Sequence, residues 1–265
     1  MRLSSSESSQ GGLLEVEVRS GSPLADLKAE WAGHTLPFWA DDSHDAVRRA
    51  LLGIDLERPA GRYDLTLAGQ LQGGHPLSCS AVVSIKAGRF AIERLRVAQQ
   101  FVEPSPKDLE RAKQETQRLR EIYASVTPER LWQGKFRLPL DAVQTARNFG
   151  RRRVLNGQPG SPHSGVDIPA VTGTPVRATQ RARVVLAEPL YFSGNTVVLD
   201  HGLGLYTLYG HLDSIAVAVG DLVEAGALLG KVGATGRVTG PHLHWGLVVN
   251  EARVNPLQLV ALPPD

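Results

Sequence analysis

Residues 239–249 read Thr-Gly-Pro-His-Leu-His-Trp-Gly-Leu-Val-Val, and residues 162–169 read Pro-His-Ser-Gly-Val-Asp-Ile-Pro. In the first stretch two histidines stand two apart at the head of an apolar run, which predicts a strand. Side chains two apart on a strand point to the same face, so His242 and His244 converge. In the second stretch three residues including Gly165 separate His163 from Asp167, with Pro162 before and Pro169 after. That composition predicts a loop in which glycine lets the chain fold back, so that both donors reach one ion. A further histidine, His211, lies in the apolar run Leu205–Leu212. Imidazole nitrogen and carboxylate oxygen suit a borderline ion such as zinc. The donors are in surplus: a catalytic zinc keeps three protein ligands and leaves a fourth position for water. Two histidines then remain to act on that water and on a substrate.

From about Lys135 onward the pattern is β throughout. Strands are predicted at 174–178, 182–188, 195–200, 205–211, 227–232 and 243–249. Sixteen of the 27 glycines lie between Gly150 and Gly246, marking tight turns between these strands. Short valine-rich strands joined by such turns predict an antiparallel sheet folded on itself rather than α/β layering. The stretch from Val219 to Gly233 also fits the hairpin of a lipoyl-type carrier. However, Lys231 falls inside a predicted strand instead of at the tip, and a carrier leaves the histidines and Asp167 unexplained.

These residues sit in longer runs: Phe149-Gly150, HSGVD at 163–167, GNTVVLDHG at 194–202, LYTLYGHL at 205–212, GDLVEAGALLGKVGATG at 220–236 and TGPHLHWGL at 239–247. Through them the stretch from about Phe149 to Pro256, nearly half of the chain, resembles the LytM-type, or M23, zinc metallopeptidases that cut peptidoglycan peptides. The resemblance implies one zinc per chain bound by His163, Asp167 and His244, with His211 and His242 as the catalytic histidines. It implies a peptidoglycan peptide as partner, cleavage of stem-peptide cross-links with the D,D bond preferred, and a periplasmic or extracellular location. Some relatives have lost ligands and activate other wall hydrolases, so a non-catalytic regulator is the alternative. This chain departs from the pattern at none of the five positions.

A divalent zinc held by two neutral imidazoles and one carboxylate keeps a net positive charge and acidifies water. No glutamate of the H-E-x-x-H type is present, so histidine must move the proton. His211 or His242 serves as acid–base, and the other, if protonated, stabilises the oxyanion.

Each candidate also has a plainer reading. His242 fits a partner that only orients His244, and His211 fits a hydrogen-bonded core histidine. His201 reads as structural, ending a strand before a turn; His34, His44 and His75 read as surface or turn residues. Asn195 reads first as a turn residue, or else as one facing the cleft. The arginines at 151–153 read most simply as a solvated loop, or else as a grip on an acidic peptide or glycan.

At 265 residues the chain exceeds the usual single-domain size, and two domains are the natural expectation. With 42% hydrophobic residues it can fill ordinary cores, and a net charge of +2 exerts no strong pull on nucleic acid. No apolar run is long enough for a membrane span. The first residues lack the apolar core of a signal peptide, so a mature form carrying an added methionine is expected. Cys79, the only cysteine, can make no intramolecular disulfide.

Residues 1–12 are expected to be a flexible N-terminus. Short alternating strands across 13–101 predict a small β-sandwich of immunoglobulin-like kind, with Ala81–Ile85 and Phe90–Val97 forming a hairpin around Ala87-Gly88. A helical connector is predicted over 102–134. Its main helix spans about 106–124, with Ser105 as N-cap, Pro106 in the first turn and Asp108 completing a capping box. Leu109, Ala112, Thr116, Leu119 and Tyr123 share one face, and a second short helix is predicted from Thr127-Pro128 to Trp132. The metallopeptidase domain then occupies 135–265. Residues 1–133 carry 17 basic and 18 acidic residues and no histidines at ligand spacing. They are expected to do no chemistry but to position or restrain the peptidase, with an intramolecular contact across the cleft. A chain starting near Lys135 is expected to fold by itself.

Overall fold

A computed structural model describes residues 1–41, 44–97, 99, 102–141 and 148–262, and the expected end of the first domain at Phe101 lies outside them. The chain is mainly β and divides into two compact units: Met1–Gly88 with Val249–Val254, and Arg89–Val248 with Asn255–Asp265. No helix among the described residues is long and apolar enough to cross a membrane.

The first unit is a β-sandwich. One sheet orders Arg2–Leu3, Leu13–Arg19, His44–Gly53 and Trp39–Asp41; the other orders Glu7–Ser9, Pro76–Lys86, Gly61–Leu71, Leu24–Trp31 and His34–Leu36. Leu14, Val16 and Val18 alternate with Glu15 and Glu17, and Leu65 and Leu67 alternate with exposed Asp64 and Thr66. The inward sets of both sheets meet in one core with Trp31, Leu52 and Val83. Nothing in this strand order singles out an immunoglobulin topology. Residues 1–12 are not a loose tail. Arg2–Leu3 pairs antiparallel with Val16 and Glu17, and Glu7–Ser9 runs parallel to Ser84–Lys86. Strands of two and three residues, rich in serine, are too short to show alternation.

The expected hairpin around Ala87-Gly88 does not form. Pro76–Lys86 pairs with Gly61–Leu71, whereas Ile92–Leu95 crosses into the second unit and runs parallel to Arg152–Leu155. Arg152 and Arg153 therefore belong to the middle strand of a three-stranded sheet and Arg151 to its approach, not to a free loop.

In the second unit the main sheet runs Gly165–Pro169, His242–Val249, Leu205–Ile215, Gly194–Asp200, Ala182–Leu190, Leu222–Val223; Leu228–Val232 pairs with both Pro175–Arg177 and Leu205–Ile215. One face buries Val166, Ile168, Val197, Leu199, Tyr209, Leu243 and Trp245. The other buries Leu186, Leu190, Val198 and Tyr206 under Leu119, Ile122 and Tyr123 of the helix Pro106–Ala124. Burial on both faces explains why Thr196–Leu199 is a continuous buried run rather than an alternating one.

The helix is capped as its sequence predicts: the Asp108 N–H donates to Ser105 Oγ over 3.2 Å. Its role differs from that of a connector, because it is the cover of the sheet. Tyr123 meets Tyr206 edge to face at 5.6 Å, and Glu115 accepts the Tyr191 N–H at 2.7 Å. Leu109, expected on the inner face, is 43% exposed. The second short helix is also absent. Residues 127–132 run irregularly because their backbone is committed to the turn after Asp200, through Leu203 N–H to Thr127 O and Leu131 N–H to His201 O.

Candidate metal centre

Five polar side chains meet at one end of the main sheet, and three different local devices bring them there. Asp167 and His244 stand directly opposite each other on adjacent antiparallel strands. The stretch from Gly165 to Pro169 is thus a strand, not the expected loop. Gly165 serves close approach instead of a reversal: a Cβ there would lie 2.8 Å from His244 Cε1 and 2.5 Å from the Trp245 carbonyl oxygen. The missing side chain leaves room for the His244 ring. His163 precedes this strand, with its N–H donating to Arg151 O at 2.9 Å and its imidazole 2% exposed.

His211 is aimed by a bulge. Asn195 pairs with Leu212 and Val197 with Tyr209, so Gly210 and His211 together oppose Thr196. His211 has φ 62°, in the left-handed region that costs a non-glycine residue, and its N–H donates to Ser193 O at 2.7 Å. The strain re-aims the imidazole out of the strand's own alternation. His242, first residue of its strand, packs against His211 with ring centres 4.8 Å apart.

The donor atoms of His163, Asp167 and His244 lie within 4.8 Å of one another. His163 Nε2 is 2.9 Å from Asp167 Oδ1 and 3.0 Å from His244 Nδ1, while His244 Nδ1 is 2.8 Å from Asp167 Oδ1. His163 Nδ1, 2.9 Å from the Asn148 carbonyl oxygen, must donate there, which turns the lone pair of Nε2 to the centre. Three acceptor atoms this close repel unless they share a cation, either a proton or a metal ion. Metal–nitrogen and metal–oxygen bonds of about 2.0–2.2 Å span donors spaced in this way. The donor set therefore fits a metal. Burial pushes the Asp167 carboxyl up, but hydrogen bonds with His163 and His244 more than reverse this and hold it well below the usual carboxylate range. Burial also pushes the His244 imidazole down, toward its neutral, ligating form.

The other two histidines are each anchored through Nδ1, and His242 Nε2 lies 3.6 Å from Asp167 Oδ1. His211 Nδ1 donates to Thr235 O and His242 Nδ1 to Gly240 O, both at 2.8 Å. Burial, then the neighbouring His244 and His242, pushes His211 down to about 3, so it is neutral at physiological pH with Nε2 free to accept a proton.

Several surrounding residues escaped the sequence reading. Asn148 brackets Asp167 through its side chain, accepting the Asp167 N–H at 3.0 Å. Arg153 donates from Nη2 to Asp167 Oδ2 at 2.8 Å, which occupies the carboxylate oxygen not shared with the histidines. Glu93 in turn holds Arg151 at 2.7 Å and Arg153 at 3.3 Å. The spacing of Arg151 and Arg153 carried the only signal, since a strand puts both on one face. Nothing local marks Glu93. Asn195 is the first side chain in the strand after Gly194, its amide donating to Leu212 O at 3.0 Å and Asp213 O at 3.1 Å. His201 is structural as expected: it is wholly buried, between Arg181 O at 3.1 Å and Thr207 Oγ at 2.8 Å. His34 and His44 lie beside Glu251 and Asp41. These two and His75 take no part in the centre.

The family model described as Peptidase family M23 matches residues 161–256, a span that contains all five residues of the centre. Residues 161–256 thus form a peptidase family M23 domain. The peptidoglycan DD-endopeptidase ShyA of Vibrio cholerae is 32% identical over 211 residues, 78% of this chain and 44% of ShyA. The DD-carboxypeptidase/endopeptidase Mpg of Neisseria meningitidis is 44% identical over 101 residues, 38% of this chain and 23% of Mpg. The chain thus spans less than half the length of these curated relatives. Among solved structures, a protein from Pseudomonas aeruginosa described as a peptidase M23 is 28% identical with a TM-score of 0.73, covering 95% of this chain and 94% of that one. The likeness extends beyond the M23 match to the sandwich and the helix.

Proposed function

We propose that this chain is a zinc-dependent endopeptidase that cuts the D,D cross-links of peptidoglycan stem peptides. His163, Asp167 and His244 hold one zinc, and His211 and His242 handle the protons. The observation that carries the reading is the convergence of three acceptor atoms on one point beside two further imidazoles, His211 and His242, each anchored through Nδ1 on a backbone carbonyl. The names of ShyA and Mpg support the substrate class, and the intact set of five residues speaks against an idle regulator. Action on the wall puts the working enzyme outside the cytoplasmic membrane, in the periplasm or beyond.

Bound zinc supplies Lewis acidity to a carbonyl and lowers the pKa of water. The chain's own residues do the rest. Neutral His211, locked by Thr235 O, takes a proton at Nε2; His242, oriented by Gly240 O, delivers one to the leaving amine or donates to the oxyanion. Arg153 fixes the Asp167 carboxylate and Asn148 holds its backbone, as partners of metal ligands commonly do. The first unit contributes no reacting group. The strand Ile92–Leu95, although it precedes the family match, belongs with the peptidase, because Glu93 and Leu95 line its cleft.

The test is zinc analysis of the purified chain together with mass spectrometry of muropeptides after digestion of D,D-cross-linked walls. One zinc per chain and release of uncross-linked monomers are expected, with loss on chelation and recovery with added zinc. Stoichiometric zinc without any cleavage would favour the regulator instead.

A further inference from the structure

The cleft beside the five residues has a volume of about 430 Å³ and is lined by Arg151, Arg153, Arg237, Glu93, His211 and His242 among others. Its arginines are not equivalent. Arg151 and Arg153 are neutralised by Glu93, and Arg153 also by Asp167. Arg237 has no such partner: among the described residues no carboxylate or carbonyl accepts from its guanidinium. Burial, and then the neighbouring Arg153, presses against its positive charge. A half-buried guanidinium without an anion is costly, and it is eased by any carboxylate that enters the cleft.

The geometry prepares Arg237 for that task. Its guanidinium carbon lies 4.3 Å from the centre of the Phe192 ring, and the Arg237 backbone N–H donates to Phe192 O at 2.8 Å. Stacking holds one face of the planar fork and leaves the edge donors open. The preceding Gly236, at φ 75°, passes so close to residues 192–194 that a Cβ would lie 2.3 Å from Gly194 N. The turn is therefore pinned. It also carries Thr235, whose carbonyl orients His211. An anion seated on Arg237 is thereby placed against the same turn that sets the proton-accepting imidazole.

We propose that Arg237 is a specificity-determining residue that binds a free carboxylate of the peptide substrate near the scissile bond. This rests on the endopeptidase reading above. A cross-linked stem peptide offers such a group either as the α-carboxylate of a bridging residue or as its C-terminal carboxylate. The bidentate fork of arginine suits both.

The experiment compares synthetic D,D-cross-linked peptide dimers of one sequence: all carboxyls free, the bridging-residue carboxyl amidated, or the C-terminal carboxyl amidated. The wild type is expected to cleave the free acid with kcat/KM roughly 10- to 150-fold above one of the two amides, the range for a charge-assisted hydrogen bond. That amide identifies the source of the carboxylate. Arg237→Gln should lose this preference, falling on the free acid and holding its rate on the discriminating amide, with zinc content unchanged. Arg237→Lys should keep part of it, and it carries the test if the glutamine variant does not fold. Equal rates on all three peptides by the wild type, or an equal fall on all three in the variants, would overturn the proposal. If the wild type cleaves none of them while holding zinc, the endopeptidase reading itself falls.

Discussion

Replacing Gly165 with alanine is expected to damage metal binding, whereas the same change at Gly246 is expected to leave it intact. The two glycines face each other in register across the strands that carry Asp167 and His244. A Cβ on Gly165 would stand 2.5 Å from Trp245 O, 2.8 Å from His244 Cε1 and 2.9 Å from His244 Nε2. Carbon atoms pack best at about 3.5–4.0 Å, so either the strands part or the imidazole moves by about 1 Å. Forcing a methyl into a packed interior costs about 1–3 kcal/mol. If the ring moves, that loss appears in zinc affinity as a roughly 5- to 150-fold weakening, because a ligand site tolerates only about 0.5 Å of displacement. On Gly246 a Cβ meets only Leu208 Cβ at 3.5 Å and His244 Nε2 at 4.0 Å, which is ordinary contact. Competition titration against a chromophoric zinc chelator reads the affinity, and urea unfolding of the metal-free protein reads the strain. Wild-type zinc affinity in Gly165→Ala, or equal losses in both variants, would refute the idea that His244 is seated by the missing side chain.

Three further outcomes separate the roles of individual parts. His244→Ala should lose both zinc and activity, whereas His211→Ala should keep zinc and lose activity by roughly 100-fold or more; metal analysis beside peptide turnover checks this, and loss of metal from the His211 variant would reverse the assignment. Burial pushes His201 down to about 4 from 6.5, so below pH 6.5 the unfolded chain takes up a proton that the folded chain refuses. Stability is therefore full above that pH and falls by about 3 kcal/mol as pH drops toward 4; urea midpoints of metal-free protein at neutral and acid pH should fall less for His201→Gln than for wild type. Contrary to the expectation that it folds by itself, a chain beginning at Lys135 should aggregate, because it uncovers Leu186, Leu190 and Tyr206 beneath the helix; light scattering against the full chain is the check.

The metal side of the site was legible because its information is local. Two histidines two apart on a strand share a face in any fold, and His163 with Asp167 fall within five residues. What sequence misjudged was the backbone between them. Glycine and flanking prolines pointed to a loop, but Gly165 is small for the sake of His244 on the neighbouring strand, a demand that exists only once the strands have paired. The same holds for the helix. Its cap and extent follow from Ser105, Pro106 and Asp108, yet whether it joins domains or covers a sheet depends on Tyr206 and Leu190, which lie far along the chain.

The opposite wall of the cleft shows the limit more sharply. Glu93, Arg153 and Arg237 come from three segments, and only Arg153, as one of the arginine run at 151–153, draws notice on chemistry alone. Each gains meaning from a tertiary approach: Ile92–Leu95 runs parallel to Arg152–Leu155, the latter turns Arg153 to Asp167, and the turn at 235–237 is pinned against Phe192. Parallel pairing over so long a sequence separation leaves no hairpin signal, and the alternation of a four-residue strand is lost among charged neighbours. His211 lies between the two cases. Its apolar run announced a strand, and a strand residue with positive φ is costly enough that the bulge must be held by the Ser193 and Thr235 carbonyls. The residue that carries the strain is also the one whose Nε2 is left free, so the local energy spent in the fold sets the direction in which the imidazole accepts its proton.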